Sequence, residues 1–234
     1  MSDVTPPPPP PPPPPGQPPS GQTPASGGGN LEAGTAISYG WTAMTRYIGP
    51  FILIALVVVV VQVGLSFVGY AFDNQVLRII WNIVAWAIGL IIAMGLIRAA
   101  LAVLDGERPE VGMLFQTEGF VPYLIATILF SIAVGIGLIL CVIPGLILAF
   151  LFAFYGYAIV DEKTGDGVEA LKMSWQLVSQ NVGQLLLLFI LVILINIVGF
   201  LLLCVGLLFT YPIGAVAIAY AWRTMTGGRV AQLA

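Results

Sequence analysis

The chain has 234 residues, of which 59% are hydrophobic and only 8% are charged. A soluble domain carries about 25% charged residues, so eight basic and eleven acidic side chains are too few to hydrate a globule of this length. The net charge of −3 indicates neither a nucleic-acid partner nor a basic membrane-surface patch, and two cysteines without histidine provide no disulfide framework and no zinc motif.

Residues 1–33 differ in composition from the rest, and we predict that they form a disordered cytoplasmic tail. Residues 6–15 are an unbroken run of ten prolines, and a Gly/Ser-rich stretch follows. Because proline fixes φ and lacks an N–H, the run is predicted to be a polyproline II helix about 30 Å long. The tail is either a docking segment for an aromatic-lined groove or a solvated spacer. Residues 1–30 lack Lys, Arg and any apolar run, so we predict no secretory signal.

Residues 34–226 are predicted to form an all-α membrane domain with six transmembrane helices in three hairpins, and residues 227–234 a short cytoplasmic tail. A helix needs about 20 apolar residues to cross the hydrocarbon core. Within residues 141–145 a turn is predicted, because Pro144 and Gly145 seldom continue a helix together, and a second turn is predicted near Cys204. The predicted spans are residues 51–72, 79–97, two helices within 120–160, 182–203 and 207–222.

The basic residues predict the orientation. With six spans and the N-terminus inside, seven of the eight basic residues are cytoplasmic and only Arg78 lies outside. Such an excess is typical of cytoplasmic loops. We therefore predict a multi-pass protein of the bacterial plasma membrane (the inner membrane) with both termini in the cytoplasm. The seven cytoplasmic residues are Arg46, Arg98, Arg108, Lys163, Lys172, Arg223 and Arg229.

A short amphipathic helix in the membrane interface is predicted before each hairpin. Thr35 is the predicted N-cap of the first helix and Pro109 begins a shorter second one. Asp166 caps the third, with Glu169 at capping-box spacing. The predicted apolar stripes are Ile37, Trp41, Met44 and Ile48; Val111, Leu114 and Phe115; and Val168, Leu171, Trp175, Val178 and Val182.

These units predict a threefold internal repeat. Trp41 precedes Gly49 by eight residues, and Trp175 precedes Gly183 by the same distance. Charged loops at 105–110 and 161–166 occupy matching positions, although the middle unit is several residues shorter. Repeats of this length predict a pseudo-symmetric bundle. The alternative is that apolar helices resemble one another by composition alone.

Three segments carry a resemblance to a known family: PGLILA at 144–149, AIVDE at 158–162 and VEALKMSWQLVSQN at 168–181. The chain resembles bacterial membrane proteins grouped with the glycerophosphoryl diester phosphodiesterase membrane domain, over roughly residues 33–224 and most closely at 144–185. The resemblance implies a six-helix integral membrane protein of unassigned role. Some members carry a soluble phosphodiesterase barrel, for which this chain has neither room nor metal-binding acids, so no catalytic activity is implied. The proline-rich tail is outside the resemblance.

Enzymes need positioned acids, bases or nucleophiles, and none of the eleven acids falls inside a predicted span. We therefore predict no enzymatic activity, no catalytic residue, no cofactor and no metal site. Charges at the inner boundary are predicted to form an ionic layer. This layer either binds a lipid headgroup or a partner, or only holds the helices at the boundary. Its predicted members are Asp161, Glu162, Glu118, Lys163, Arg108 and Arg98.

Polar and small residues inside the spans each have two interpretations. The polar residues are Gln62, Asn82, Ser131 and Asn196. In one interpretation they form hydrogen bonds between neighbouring helices. In the other, Gln62, Asn82 and Asn196 line a path for a lipid or solute. Small residues at every fourth position mark close helix contact, within the monomer or between subunits. These residues are Ala85, Gly89 and Ala93, and Ala217 with Ala221.

Cysteines and aromatic residues lie near the predicted ends of the spans. Cys141 and Cys204 are predicted at equivalent outer ends, either as buried free thiols or as a disulfide. Amphipathic rings near the boundaries are predicted to anchor the protein in the membrane interface. These rings are Trp41, Tyr47, Trp175, Tyr211 and Trp222.

Together these features favour a non-catalytic membrane scaffold or an accessory subunit of a membrane or envelope complex. Its partners are the lipid bilayer and proteins bound through the tail and the small-residue faces, without nucleic acid, and no oligomeric state is predicted. The alternative is a small transporter, channel or lipid-translocating protein. The repeats and Gln62, Asn82 and Asn196 motivate that alternative.

Overall fold

The structure is a computed structural model that describes residues 31–201 and 206–233. Within these residues the regular structure is entirely helical, as predicted. The proline run and Cys204 lie outside the described residues. The helices are α1 (Ala33–Arg46), α2 (Ile48–Tyr70), α3 (Gln75–Leu104), a 3-10 helix (Val111–Phe115), α4 (Phe120–Leu140), α5 (Val142–Leu151), α6 (Tyr155–Val160), α7 (Gly167–Gln180), α8 (Val182–Leu201) and α9 (Leu207–Met225).

Five of the described segments are long and apolar enough to cross a membrane. Their outer faces carry large apolar side chains, such as Phe67 at 71% and Ile139 at 88% exposure. Such a surface is stable only when hydrocarbon surrounds it. The chain is therefore an all-α protein with membrane-spanning helices. The five segments are Ile48–Tyr70, Gln75–Leu104, Phe120–Leu140, Val142–Val160 and Val182–Leu201.

The helix α9, which corresponds to the sixth predicted span, lies at the centre of the bundle. It packs against α1, α2, α3 and α8, and Pro212, Ile213 and Val216 on it are buried. It is more polar than the five apolar segments and is not one of them. One of its polar side chains is bonded within the protein. The Thr210 hydroxyl donates a 3.2 Å hydrogen bond to the Asn196 side-chain oxygen of α8.

The apolar stripes predicted for α1 and α7 are only partly those that face the protein. Met44 and Val178 of these stripes are buried in the protein, whereas Trp41 is 62% and Trp175 44% exposed. The buried faces consist mainly of small residues, because small side chains allow backbones to approach and lipid accepts the large ones. These faces are Ala33, Ala36, Gly40, Ala43 and Met44 on α1, and Gly167, Ala170, Leu171, Ser174 and Val178 on α7.

Of the two predicted N-caps, one is confirmed and one is wrong. The Asp166 side chain accepts the Val168 N–H at 2.9 Å, and its own N–H donates to the Thr164 hydroxyl, which in turn donates to Glu169. Thr35 is not a cap, because α1 begins two residues earlier, at Ala33, and the Thr35 hydroxyl donates to the Glu32 carboxylate instead.

The second predicted amphipathic stretch forms the 3-10 helix. Its Leu114 is completely buried against α2 and α3, while Phe115 is 55% exposed and so is not part of the buried face. Gly95 of α3 makes this contact close, since a Cβ at Gly95 would collide with the Leu114 backbone.

Each amphipathic segment packs against a different hairpin. The helix α1 contacts α8 and α9, the 3-10 helix contacts α2 and α3, and α7 contacts α4, α5 and α6. Glycines allow two further close approaches. A Cβ at Gly40 would collide with the Ile213 carbonyl oxygen of α9, and one at Gly167 would lie 2.6 Å from the Pro122 carbonyl oxygen of α4. Each amphipathic segment is continuous with the hairpin that follows it in the chain and packs on the hairpin before it. The helix α1 has no preceding hairpin and packs on the last one, so the three units are arranged in a ring.

The turn predicted at 141–145 is shorter than expected. Cys141 alone separates α4 from α5, and Pro144 and Gly145 lie in the first turn of α5. Proline is tolerated there because the first turn of a helix has no intrahelical partner for its N–H groups. A second interruption, not predicted, separates α5 from α6 at residues 152–154. Ser174 of α7 stabilises it by donating to the Leu151 carbonyl and accepting the Phe154 N–H.

Candidate functional site: a three-hairpin ionic cluster and an apolar cavity

An ionic cluster joins the ends of three helices at one end of the bundle. Asp105 directly follows α3, Asp161 directly follows α6, and Arg223 lies in the last turn of α9. The Arg223 Nη2 atom lies 2.9 Å from a carboxylate oxygen of Asp105 and 3.0 Å from one of Asp161. The Lys163 ammonium lies 3.7 Å from Asp161. One guanidinium therefore contacts an acid from each of the other two hairpins.

The cluster has a buried half and an exposed half. The side chains of Asp161 and Arg223 are 9% and 13% exposed, whereas those of Lys163 and Asp105 are 39% and 44% exposed. A carboxylate and a guanidinium that are both removed from water compensate each other's charge. The pair Arg223–Asp161 is therefore the structural centre of the cluster, and the other two charges lie at its rim.

Trp222 belongs to the buried half of the cluster. It is therefore not a membrane-interface anchor, and that prediction is wrong. Its indole N–H donates a 3.0 Å hydrogen bond to Asp161, its side chain is completely buried, and its ring stacks on Phe154 at 6.1 Å between centroids. Its position at the end of α9, beside the ionic pair, accounts for this burial. Trp41, Trp175 and Tyr211 are exposed and fit the anchoring prediction, and Tyr47 is half-buried.

The predicted ionic layer is divided between two places. Asp161 and Lys163 join the cluster, while Arg98, Glu118 and Glu162 line a separate cavity of about 280 Å³. There the Arg98 guanidinium donates to the backbone carbonyls of Gln116 and Glu118. Arg108 is exposed. The sequence pattern indicates only the membrane orientation for Arg223 and only a loop for Asp105, although both residues stand at the ends of helices.

The C-terminal segment packs beside the ionic cluster. The Ala231 N–H donates a 2.7 Å hydrogen bond to the Leu104 carbonyl at the end of α3. The Tyr39 hydroxyl of α1 donates to the Ala231 carbonyl at 2.9 Å. Burial, and then nearby Tyr47, Tyr220 and Asp105, raise the pKa of Tyr39 above its ordinary value, so the hydroxyl stays protonated and remains a donor.

The polar residues within the spans do not form a common path. Asn196 bonds α8 to α9 through Thr210, and the Ser131 hydroxyl donates to the Thr127 carbonyl of its own helix. Asn82 is exposed on α3. Gln62 lines a cavity that neither Asn82 nor Asn196 reaches. The helix-bonding interpretation therefore holds for Asn196.

That cavity lies between α2, α3 and α9 and has a volume of about 560 Å³. Its walls are almost entirely apolar, and the hydrogen-bonding side chains among them are Gln62 and Tyr211. Gly89 and Ala93 form part of one wall, and a Cβ at Gly89 would meet no atom within 4 Å. The other lining residues are Phe51, Ile54, Ala55, Val58, Val59, Ile92, Leu96, Ala99, Ala100, Leu207, Leu208, Pro212 and Ala215.

The two predicted small-residue faces have different roles. Ala217 and Ala221 of α9 are completely buried inside the monomer, which confirms the packing interpretation for this pair. Gly89 and Ala93 leave space instead of filling it. Cys141 is a free thiol, but it is exposed and not buried as predicted.

Comparisons with known proteins place the chain among relatives of unassigned role. It is 30% identical over 150 residues to the uncharacterized protein Rv2560 of Mycobacterium tuberculosis, and equally to the uncharacterized protein Mb2590 of Mycobacterium bovis. Each match covers 64% of this chain and 46% of the relative, so the chain spans about half the length of these curated proteins. No solved structure matches. The sequence profile of the domain of unknown function DUF7847 matches residues 42–234, and the chain therefore belongs to this family.

Proposed function

We propose that the protein is a non-catalytic scaffold or an accessory subunit of a membrane complex. The observation that supports this most directly is the contact of Arg223 with Asp105 and Asp161, which ties three hairpins together. A transporter built from repeats works by moving one part of the bundle against another. Such movement would separate the buried Arg223–Asp161 pair and expose uncompensated charge, which is costly. A fixed bundle suits a platform for other proteins.

Six spans and a threefold repeat form part of this proposal, with α9 as the sixth span. Buried positions of α1 recur in α7 at a constant offset of 134 residues: 33 and 167, 36 and 170, 40 and 174, 44 and 178. Trp41 and Trp175, both exposed, share this offset. The cyclic packing of amphipathic segments on hairpins also supports three equivalent units.

We further propose the bacterial plasma membrane as the location, with both termini in the cytoplasm. The excess of basic residues on one side supports this orientation, and the ionic cluster would then lie at the inner face. The resemblance to the glycerophosphoryl diester phosphodiesterase membrane-domain family stays a prediction and adds no activity to the proposal.

The proline-rich tail would recruit a cytoplasmic partner. The test is affinity purification of the full-length protein and of a variant lacking residues 1–30, both from gently solubilised membranes. Proteins that copurify with the full-length chain only, and that recover it when they carry the tag themselves, would support the docking role. Identical partner sets would contradict it, and the absence of any reciprocal partner for either variant would contradict the scaffold itself.

A lipid-translocating protein is the second candidate, because the cavity between α2, α3 and α9 is long and apolar. Vesicles containing the protein and a fluorescent phospholipid distinguish the two. For a scaffold, a membrane-impermeant quencher should remove only the outer-leaflet fluorescence. Quenching of both leaflets, at a rate that depends on protein content, would favour translocation over the scaffold.

A further inference from the structure

We infer that the cavity between α2, α3 and α9 binds one acyl chain of a membrane phospholipid. This goes beyond the scaffold proposal and does not depend on it. The cavity has a volume of about 560 Å³, within the range of pockets that bind small molecules, roughly 300–1,000 Å³.

The walls of the cavity match a hydrocarbon ligand. They come from α2 and α3, which are apolar enough to span a membrane, and from α9 packed between them. Apart from Gln62 and Tyr211, the side chains that line it are aliphatic, aromatic or small. An empty apolar cavity of this size forfeits van der Waals contacts along its whole lining. Exposed neighbours such as Val59 and Tyr211 connect the cavity to the lipid-facing surface, so lipid chains are the molecules at its mouth.

The length of the cavity suits an extended chain. Along α2 the lining residues extend from Phe51 to Gln62, which at 1.5 Å per residue is about 16 Å. An extended, flexible hydrocarbon chain can follow a cavity of this length.

Small residues create the cavity. Gly89 and Ala93 stand one helical turn apart on α3, and open space lies in front of Gly89.

Gln62 and Tyr211 provide an amide and a hydroxyl at the wall of the cavity. These groups can donate hydrogen bonds to the ester carbonyl of a glycerophospholipid, which a bare hydrocarbon lacks.

The test is photo-crosslinking in vesicles of dioleoylphosphatidylcholine with a minor fraction of phosphatidylcholine that carries a diazirine within its acyl chain. The informative residue is Ile92, which lines the cavity but is only 3% exposed. Lipid that merely surrounds the protein does not reach it. Adducts on Ile92 are expected in the wild-type protein, with exposed Ile193 of α8 as the reference for surrounding lipid.

Two matched glycine variants complete the design. Gly89→Leu fills the cavity without a backbone clash, and Gly64→Leu adds the same side chain to an exposed position of α2 that is not in the cavity wall. Gly89→Leu should lower Ile92 adducts relative to Ile193 by at least about threefold, equivalent to about 0.7 kcal/mol. Gly64→Leu should leave the ratio unchanged.

Three results would overturn the inference. The first is a wild-type protein without adducts on Ile92, and the second is an unchanged ratio in Gly89→Leu. The third is a protein dimer, trapped in the same vesicles by a bifunctional protein crosslinker, that Gly89→Leu abolishes, because it would assign the cavity to a second copy of the chain. A lipid-translocation assay on the same vesicles reports separately on the scaffold proposal.

Discussion

Arg223 shows how one side chain fixes the relation between hairpins. Its two acidic partners differ in environment, since Asp161 is 9% and Asp105 is 44% exposed. An exposed ion pair contributes little because water and salt screen it. A buried pair contributes little net energy when it forms, but removing one partner leaves the other uncompensated. The two acids should therefore respond unequally to the same substitution.

We predict that Asp161→Asn lowers the stability of the protein by about 2–4 kcal/mol, because Arg223 keeps only its rim partner. Asp105→Asn should cost less than about 1 kcal/mol, because that pair is half exposed. The measurement is thermal unfolding in detergent, followed by the fluorescence of the tryptophans, of which Trp222 is buried against Asp161. Equal shifts for the two variants would contradict a cluster with a buried centre.

Ser174 has a comparable role at the break between α5 and α6. It is completely buried, and it satisfies the Leu151 carbonyl and the Phe154 N–H, which lie at this break. Ser174→Ala leaves both groups without this partner in an apolar environment, and we expect a loss of about 1–3 kcal/mol. Ser179→Ala, at an exposed position of the same helix, is the control and should be near neutral. Similar midpoint temperatures for the two variants would show that Ser174 does not support the break.

At the scale of the helices, small residues decide which face packs. The apolar stripes of α1 and α7 marked the side of each helix that avoids water, but not the side that packs on the protein. In a membrane the solvent is also apolar, so burying Trp41 or Trp175 gains little and close backbone approach gains more. The elements themselves followed from composition and charge spacing. The buried face of each helix did not follow from the sequence, because hydrocarbon accepts large apolar side chains as readily as the protein interior does.

The contact between α1 and α9 provides a direct test of this rule. Gly40→Ala places a Cβ against the Ile213 carbonyl oxygen, whereas Gly34→Ala, on the same helix, meets nothing within 4 Å. Gly34→Ala should stabilise the protein by up to about 1 kcal/mol through helix propensity. Gly40→Ala should destabilise it by about 1–3 kcal/mol, because the backbones must separate.

Thermal unfolding of both glycine variants is the measurement, and limited proteolysis after Arg46 reports whether α1 has left the bundle. If Gly40→Ala gained stability as Gly34→Ala does, α1 would not be packed closely on α9.

At the scale of the whole molecule, composition alone predicted the class of protein. A chain with 8% charged residues has no other way to cover its surface than with lipid. The ionic cluster was not predictable from local patterns, because Asp105, Asp161 and Arg223 lie in three different hairpins and only the packing brings them together. The cavity was missed for a related reason. A small-residue motif indicates close contact, but Gly89 has no neighbour across from it.

The orientation of the molecule depends on the number of spans, and α9 decides that number. If α9 crosses the membrane, the Asp73 loop and Cys141 lie on one side, and Arg223 and the C-terminal segment lie on the other with the N-terminus. A cell-impermeant thiol reagent should then label Cys141 in intact cells, and it should label a cysteine placed at Asp73 in a Cys141→Ser, Cys204→Ser background. A cysteine at Arg229 should react only after the membrane is permeabilised. Reaction at Arg229 in intact cells would place the C-terminal segment outside and overturn the proposed orientation.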